Sequence, residues 1–578
     1  MAMAKKTKAK KKAKSKASID PQVIAQRRQK YAVRSLFKRL GLQRIKSDGV
    51  EFKFKERTGE LDDIFIYENV VILGEYTVGK KGTEHIAKKS LLYGIINNNQ
   101  SEWMEFAAAK FSGFGELKYL PSEYQVKICY FSVNALSDEV YAALDYVFFL
   151  NGTKFRYFDA LAKTIHKSAR LEFFKYLRLD FKKIGSEIKS SSNNSRSFGG
   201  FVLPESFSSF PAGFKVVSFY ADPKALLTMS YVLRKDSWRD EDGLYQRVLM
   251  KGRMKEMRRY LTTEERVFVN NIIVTLPKET RLNEPGEEGK NIDTKSLSVV
   301  RDVTVFVPFK ADVIGIVDGQ HRVFCYHEGD DQYEGKIEKL RDRQNLLVTG
   351  VIYPSAYADA DKRRFEAKLF LEINDKQRRA RSDLKHSIEM ILSPYSTIAI
   401  AKAVVARMNS NGALRQMLQT NYFDPPRLIR TSSIVSYGLR PLLKLEGVDS
   451  LFSSWNDPDK LKLVELQKGK VGQATIDPIL EKYTAYCYAA LNDILLAARK
   501  KLGSHKWALE DRAKDRFLTP TLINGLIVCL RLVIQNGKPL SETTYGERFA
   551  VLDQVGITKY RSSSWKALGE AIYKKCFQ

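Results

Sequence analysis

Two acidic residues on neighbouring strand-like segments have types and a spacing that suit metal chemistry. Asp62 opens one apolar run and Glu75 stands thirteen residues later, near the end of the next, in "GELDDIFIYENVVILGEYTVGK". Side chains near one end of paired strands converge. Two convergent carboxylates suit Mg²⁺, which activates water and stabilises charge on a phosphate. The pattern predicts a metal site for phosphodiester hydrolysis, and a surface hairpin with solvated acids is the alternative.

A second polar group interrupts an apolar stretch, "IGIVDGQHRVFCYH". Its members are Asp318, Gly319, Gln320, His321 and Arg322. A glycine-containing turn that exposes backbone amides at a helix start, together with arginine, is a good receiver for phosphate. The alternative is an ordinary strand-to-helix turn, with Asp318 as the N-cap and His321 as a structural histidine.

A third group lies about fifty residues downstream, where "FLEINDKQRRARSDL" interrupts an amphipathic helical pattern. Arg378 and Arg381, with Gln377, form a cationic cluster that suits phosphate groups. Asn374 is a candidate Mg²⁺ ligand through its amide oxygen or a water. A solvated basic helix face is the alternative interpretation of the arginines.

The elements that must position these groups follow from hydrophobic periodicity. Residues 24–40 have helical spacing that stops at Gly41, the two runs around Asp62 and Glu75 predict a hairpin that turns at Glu68 and Asn69, and residues 84–97 predict a helix. The Ser-, Asn- and Gly-rich residues 189–200 predict a linker. We therefore expect a multidomain α/β protein with a disordered basic tail (1–20), an α/β domain (21–188), an α+β domain (201–394) and a mostly helical region (395–578).

Composition narrows the class of partner. Lysine and arginine total 96 against 67 acidic residues, a net charge of +29, which favours a polyanion because phosphate neutralisation releases counterions. Nucleic acid is the first candidate, an anionic membrane surface the second, and a merely basic protein remains the alternative. Five widely spaced cysteines argue against a zinc ribbon or a disulfide framework and favour a reducing cytosol. No apolar run is long enough to span a bilayer, so we expect a cytoplasmic protein without a membrane partner.

The first acidic group resembles the core of the PD-(D/E)XK nucleases. Their pattern of Gly-Glu-apolar-Asp, a spacer and Glu-x-Lys is matched by Gly59, Glu60, Leu61, Asp62 and Glu75. The resemblance spans residues 22–110 and implies a nuclease-like fold in which Asp62 and Glu75 hold Mg²⁺, with Glu60 beside them in the catalytic site. Thr77 occupies the position of the family's lysine. The implied substitute is Lys80 or Lys81, one short loop on; otherwise the fold is retained and cleavage is lost.

The two later groups resemble the DGQHR-domain family, which includes the DNA sulfur-modification regulator DndB and is related to the ParB/sulfiredoxin-like fold. In ParB-type relatives, two corresponding elements hold a nucleoside triphosphate and its Mg²⁺. The resemblance implies that Gly319, His321 and Arg322 match the first element, and that Glu372, Asn374 and Arg378 match the second. The implied ligands are ATP or CTP, with Mg²⁺ near Asn374.

Together these features predict a DNA-processing protein of a DNA-modification or phage-defence system. It would bind double-stranded DNA and a nucleoside triphosphate, and NTP hydrolysis and Mg²⁺-dependent DNA cleavage are the two candidate activities. A non-catalytic DNA-binding transcriptional regulator of the DndB type, and an NTPase partner subunit of a DNA-modifying enzyme, are the alternatives. Other proteins of the same operon and further copies of the chain are the expected protein partners.

Overall fold

The computed structural model describes residues 20–79, 82–133, 136–185, 195–234, 238, 246, 248–286, 289–375, 392–421, 423–469, 477–509, 518–538, 541–561 and 563–578. These residues form two compact units. The first is drawn from Met1–Phe155 with Lys183–Gly185, and the second from Arg156–Lys182 with Ser186–Gln578. Among the described residues, no helix is both long and apolar enough to cross a membrane.

The first unit begins with a helix and then builds a sheet. Its helices are α1 (Pro21–Arg39), α2 (Gly82–Asn98), α3 (Gln100–Lys110) and α4 (Asp138–Ala143). Its strands are β1 (Gln43–Ile45), β2 (Phe52–Phe54), β3 (Arg57–Gly59), β4 (Asp63–Tyr67), β5 (Val70–Thr77), β6 (Gln125–Ser132) and β7 (Val147–Asn151).

A five-stranded mixed sheet of order β1-β4-β5-β6-β7 organises this unit. β4 pairs antiparallel with β1 and β5, whereas β5, β6 and β7 run parallel. β5 is buried along almost its whole length, as expected for a central strand whose two faces are covered. Because β5 and β6 are parallel, their carboxyl ends meet at one edge of the sheet, and α2 begins beside that edge.

The second unit contains a larger sheet and most of the helices. Up to residue 375 its helices are α5 (Gly152–Ile165), which begins in the first unit, α6 (Arg170–Tyr176), α7 (Glu205–Ser208), α8 (Pro223–Met229), α9 (Lys251–Glu264), α10 (Gln320–Phe324), α11 (Glu334–Arg343) and α12 (Asp359–Asp375). The strands are β8 (Ser195–Leu203), β9 (Lys215–Ala221), β10 (Ser230–Tyr231), β11 (Ile272–Leu276), β12 (Arg281–Asn283), β13 (Arg301–Pro308), β14 (Ile314–Asp318) and β15 (Leu346–Ile352).

These strands form an eight-stranded mixed sheet of order β10-β14-β11-β15-β9-β8-β13-β12. β14 lies between β10, to which it is parallel, and β11, to which it is antiparallel. Its apolar residues are buried, and α12 packs against it through Phe370 and Ala367, which share a hydrophobic cluster with Val317. The polar turn at the end of β14 is therefore anchored on a rigid element.

The remainder of the second unit is mostly helical. It contains α13 (Thr397–Ser410), β16 (Leu418–Gln419), β17 (Ile429–Arg430), a π-helical segment (Ile434–Leu439), α14 (Arg440–Leu442), α15 (Leu451–Ser454), α16 (Lys460–Lys468), α17 (Pro478–Leu502), α18 (Pro520–Gln535), α19 (Glu542–Arg548) and α20 (Trp565–Phe577). One hydrophobic cluster that runs from Tyr395 to Phe577 joins these helices.

The prediction of an α/β protein with a mostly helical last third is confirmed, as are the hairpin around Glu68 and the helices at α1 and α2. The linker prediction is wrong for residues 195–200, which lie in β8 between β9 and β13. The serines and Gly199 occupy the more exposed positions of this strand, and Gly200 is needed because an added Cβ would come 2.3 Å from the Ser218 carbonyl. Residues 156–182, predicted to belong to the first domain, lie in the second unit. The basic tail, residues 1–19, lies outside the described residues.

Candidate functional site

The hairpin of β4 and β5, together with α1 and α2, surrounds a cavity of about 220 Å³ in the first unit, here called the β5 cavity. Its lining includes Lys30, Glu60, Asp62, Glu75, His85 and Lys89. These residues come from α1, the loop before β4, β5 and α2. The structure thus brings together three of the four predicted catalytic residues, Glu60, Asp62 and Glu75.

Two consecutive aspartates precede and begin β4, and they have different environments. Asp62 lines the β5 cavity, where its Oδ1 lies 2.6 Å from the Lys30 Nζ and its Oδ2 accepts the Tyr76 backbone N–H at 2.9 Å. Asp63 is fully buried, accepts a hydrogen bond from Arg34 at 2.7 Å and pairs with Arg44. Because successive strand side chains point to opposite faces, only Asp62 is available to a ligand in the cavity.

Glu75 is the buried carboxylate of the β5 cavity, with 2% of its surface exposed. Its Oε1 pairs with the Lys89 ammonium, and its Oε2 accepts the Tyr93 hydroxyl at 2.9 Å. Burial raises the pKa of Glu75 to about 7, the Asp62 charge adds to the rise, and Lys89 and Tyr93 oppose it. A cation beside Glu75 therefore strongly favours the ionised form of this carboxyl group.

Helix α2 presents three polar side chains to Glu75 at intervals of one helical turn. His85, Lys89 and Tyr93 stand at positions i, i+4 and i+8, which share one face of a helix. Lys89 also donates to the Glu60 backbone carbonyl at 3.1 Å, so its ammonium bridges β5 and the loop before β4.

His85 forms a hydrogen bond with Tyr130, which in turn is hydrogen-bonded to the start of α2. Its Nδ1 lies 2.9 Å from the Tyr130 oxygen, and Tyr130 donates to the Gly82 carbonyl at 3.1 Å. Its Nε2 lies 3.6 Å from the Glu75 Oε1. Burial lowers the pKa of His85, and the nearby Lys89 charge acts in the same direction.

Glu60, Lys80, Lys81 and Thr77 are the remaining residues considered for this site. The Glu60 side chain accepts the Gly49 backbone N–H at 2.7 Å. Lys80 and Lys81 lie outside the described residues. Thr77, at the position of the family's lysine, ends β5, and its carbonyl accepts a hydrogen bond from Gln29 at 3.1 Å.

Sequence reasoning missed Lys89, the cation that contacts Glu75. The signal was present, because the helix predicted over 84–97 carries a lysine one turn beyond a histidine and one turn before a tyrosine. These three side chains face Glu75 only because α2 starts beside the end of β5. Lys30 was missed for the same reason, since it arrives from α1, more than thirty residues earlier in the chain.

The donor set of the β5 cavity suits a hard divalent cation with few protein ligands. Among the described residues, no group of three or more His, Cys, Asp or Glu side chains could hold a metal ion. Mg²⁺ commonly uses one or two carboxylates and completes its shell with waters and substrate phosphates. Asp62 and Glu75 supply the two carboxylates of this mode, and Mg²⁺ would displace Lys30 and Lys89 from the oxygens that it takes.

In the second unit, residues 318–322 form a sharp turn between β14 and α10, here called the Gly319 turn. Gly319 has φ +97°, and an added Cβ would come 2.8 Å from the Ile272 Cδ1. Asp318 accepts a hydrogen bond from the Arg322 Nη2 at 2.7 Å and makes no capping bond, since Gly319 takes the cap position. The N-cap interpretation of Asp318 is therefore wrong.

His321 is surrounded by positive charge. Burial and the charges of Arg253, Arg234 and Arg322 together lower the pKa of His321 to about 4, so the imidazole is neutral at pH 7. Its Nε2 and the Arg322 Nε are buried and have no hydrogen-bond partner in the part of the chain that the structure describes. Gln320, on the same turn of helix, is buried.

Arg234, which follows β10, is a buried residue of this neighbourhood that sequence reasoning missed. It is 1% exposed, its Nη1 pairs with Glu172, and its guanidinium lies 5.3 Å from the centre of the Phe324 ring. Within the described residues its Nε and Nη2 have no hydrogen-bond partner. These two N–H groups form the edge of a guanidinium that binds paired oxygens of carboxylates and phosphates.

The structure describes little of the predicted second half of the nucleotide site. Gln377, Arg378 and Arg381 lie outside the described residues. Asn374 belongs to α12, but its side chain also lies outside what the structure describes.

Comparison of this chain with protein-family models, with curated proteins and with solved structures finds no match. Its function must therefore be inferred from the geometry of the β5 cavity and the Gly319 turn.

Proposed function

We propose that this chain is a DNA-processing protein whose first unit hydrolyses phosphodiester bonds with the help of Mg²⁺. The supporting observation is the convergence of the Asp62 and Glu75 carboxylates and the Lys89 ammonium on one cavity. The net charge of +29 suits a DNA substrate, because cationic side chains that neutralise phosphates release counterions.

Each polar group of the β5 cavity has a role in this reaction. Asp62 and Glu75 would hold Mg²⁺, which when bound polarises the phosphate and acidifies a bound water. Lys89 would neutralise the negative charge that develops on the phosphate oxygens. A water oxygen forms a bond to phosphorus as the ester P–O bond breaks, so one strand end keeps the phosphate and the other gains a hydroxyl.

A plasmid assay tests this proposal. We expect the purified protein to nick supercoiled DNA with Mg²⁺ and to stop when EDTA removes the metal. Asp62→Asn and Glu75→Gln should each abolish nicking, while Glu105→Gln, an exposed acid on α3, should leave it unchanged. Nicking that survives both cavity substitutions, or no nicking by the wild-type protein with Mg²⁺ or Mn²⁺, would contradict the proposal.

The Gly319 turn favours a second function, the binding of a nucleoside triphosphate such as ATP or CTP. Supporting it are the buried N–H groups of Arg234 and Arg322, which have no partner within the described residues and suit phosphate oxygens. The resemblance to the DGQHR family favours the same ligand, and it favours a role in a DNA-modification or phage-defence system alongside other proteins of an operon.

Calorimetry with ATP, CTP, GTP and UTP, together with a phosphate-release assay, tests this function. Arg322→Ala should weaken binding about 10- to 100-fold, the usual size of one charged hydrogen bond. Arg343→Ala, an exposed arginine at the end of α11, is the matched control. If none of the four nucleotides binds, the second function is wrong.

Binding without any chemistry would favour the alternative, a non-catalytic DNA-binding regulator of the DndB type. If the protein releases phosphate from a nucleotide but never nicks DNA, an NTPase partner subunit of a DNA-modifying enzyme is favoured instead.

A further inference from the structure

His85 opens onto the β5 cavity, and its hydrogen bond with Tyr130 favours protonation of one ring nitrogen over the other. It lies in the first turn of α2, half-buried, with Nδ1 toward Tyr130 and Nε2 toward Glu75. None of the contacts that position the metal-binding carboxylates requires this histidine, since Glu75 is already held by Lys89 and Tyr93.

The Tyr130 hydroxyl has one proton, and its neighbours include the Gly82 carbonyl, the Thr77 side chain and His85. One neighbour, the Gly82 carbonyl 3.1 Å away, can only accept a hydrogen bond, so it takes the Tyr130 proton. When that proton is donated to the Gly82 carbonyl, the Tyr130 oxygen accepts from His85, 2.9 Å away, and the proton of the neutral imidazole lies on Nδ1. The close packing of Gly82, where an added Cβ would come 2.8 Å from the Leu136 Cδ2, holds this carbonyl in place.

With its proton on Nδ1, the imidazole presents the Nε2 lone pair to the β5 cavity. The Glu75 Oε1 at 3.6 Å is too far for a hydrogen bond and, as a carboxylate oxygen, only accepts. Nε2 is therefore a fixed acceptor that faces cavity space beside both carboxylates, where a water molecule has room to donate to it.

We propose that His85 Nε2 accepts a hydrogen bond from the attacking water in the β5 cavity and turns a lone pair of that water toward the phosphorus. This role rests on the proposed phosphodiester hydrolysis. It makes His85 a catalytic residue by its contact with the reacting water, and Tyr130 a positioning residue that selects the tautomer. Orientation of a reactant in this way is a large part of enzymatic rate enhancement.

The first test measures the tautomer and needs no substrate. Long-range ¹H–¹⁵N spectra of the full chain labelled with ¹⁵N-histidine, with the His85 signals identified by their loss in His85→Gln, should show the proton on Nδ1. Tyr130→Phe removes the acceptor and should shift His85 toward the Nε2-protonated form. A wild-type His85 protonated on Nε2, or a tautomer that Tyr130→Phe leaves unchanged, would overturn the inference.

The second test measures plasmid nicking. His85→Ala should slow it about 100-fold, as loss of a single positioning contact does. His85→Gln, whose amide oxygen accepts near the position of Nε2, should recover part of that loss, and the neighbouring exposed Lys88→Ala should have no effect.

The two proposals fail in distinguishable ways. Nicking that depends on Asp62 and Glu75 but is as fast in His85→Ala as in the wild-type protein overturns the role of His85 alone. If the wild-type protein does not nick DNA, the proposed hydrolysis and the role of His85 are both overturned.

Discussion

The β5 cavity and the Gly319 turn both place polar residues at the end of a buried strand, but they balance charge in opposite ways. In the β5 cavity, the carboxylates of Asp62 and Glu75 meet the ammonium groups of Lys30 and Lys89. Around the Gly319 turn, three arginines face a neutral His321, and carboxylates neutralise only part of that charge. Under the proposed functions, the first arrangement would bind a cation and a phosphate together, and the second would bind an anion.

In both places, a charged residue that the proposed function uses comes from outside the recognisable motif. Lys89 comes from the face of α2, and Arg234 from the segment after β10. A motif therefore marks where a candidate site lies, while the neighbouring elements decide which charges surround it. Substitutions that separate motif residues from these outside partners test that conclusion.

Among the partners from outside the motifs, the largest effect is expected at Lys89. Lys89→Ala should slow plasmid nicking about 1,000-fold, because removal of one preorganised charge from a catalytic site costs 100- to 1,000-fold. Lys88→Ala, the adjacent exposed lysine, is the control. Equal rates for the two variants would show that the outside partner is not needed.

Asp63 and Asp62 are adjacent in the chain, but we expect only Asp63 to contribute strongly to stability. Asp63→Ala removes a fully buried carboxylate from Arg34, Arg44 and the Tyr76 hydroxyl, and should lower the free energy of unfolding by about 3 kcal/mol. Asp62→Asn should change stability by less than about 1 kcal/mol, because its ion pair with Lys30 is partly exposed. Urea unfolding measures both, and similar losses would refute the division of roles.

Gly319 should tolerate no side chain. Gly319→Ala places a Cβ at φ +97° and against the Ile272 side chain, and should destabilise the protein by about 2 kcal/mol. Gly335→Ala, in the first turn of α11 with open space around the added Cβ, is the matched control and should not destabilise the protein. Thermal unfolding followed by circular dichroism compares the two, and a stable Gly319→Ala would show that the turn does not require glycine.

The smallest effect is expected at Asp318. Asp318→Asn removes the charge that holds the Arg322 Nη2 and should tighten nucleotide binding about fivefold, since partly exposed pairs contribute up to about 1 kcal/mol. Calorimetry measures the change. Weaker binding would mean that Asp318 orients Arg322 for the ligand rather than competing with it.

Local pattern was sufficient to predict the hairpin, α1 and α2, because their apolar spacing and turn residues are strong signals within one short window. It failed at residues 195–200, where serine and glycine suggested a linker. In β8 those residue types sit between two paired strands, and Gly200 is required by the approach of β9. Composition alone cannot distinguish a small residue chosen for flexibility from one chosen for a close backbone contact.

The sequence by itself determined that this is an α/β protein with a large positive charge and that Asp62, Glu75 and the residues of the Gly319 turn are candidates for chemistry. Only the tertiary structure decided that Asp62 faces a cavity while Asp63 is buried, and that Lys89, His85 and Arg234 join the candidates. The physical reason is that strand alternation and helix periodicity specify a face locally, whereas the partner on that face depends on sheet order and helix packing. Those contacts join residues far apart in the chain, so no short stretch of sequence contains them.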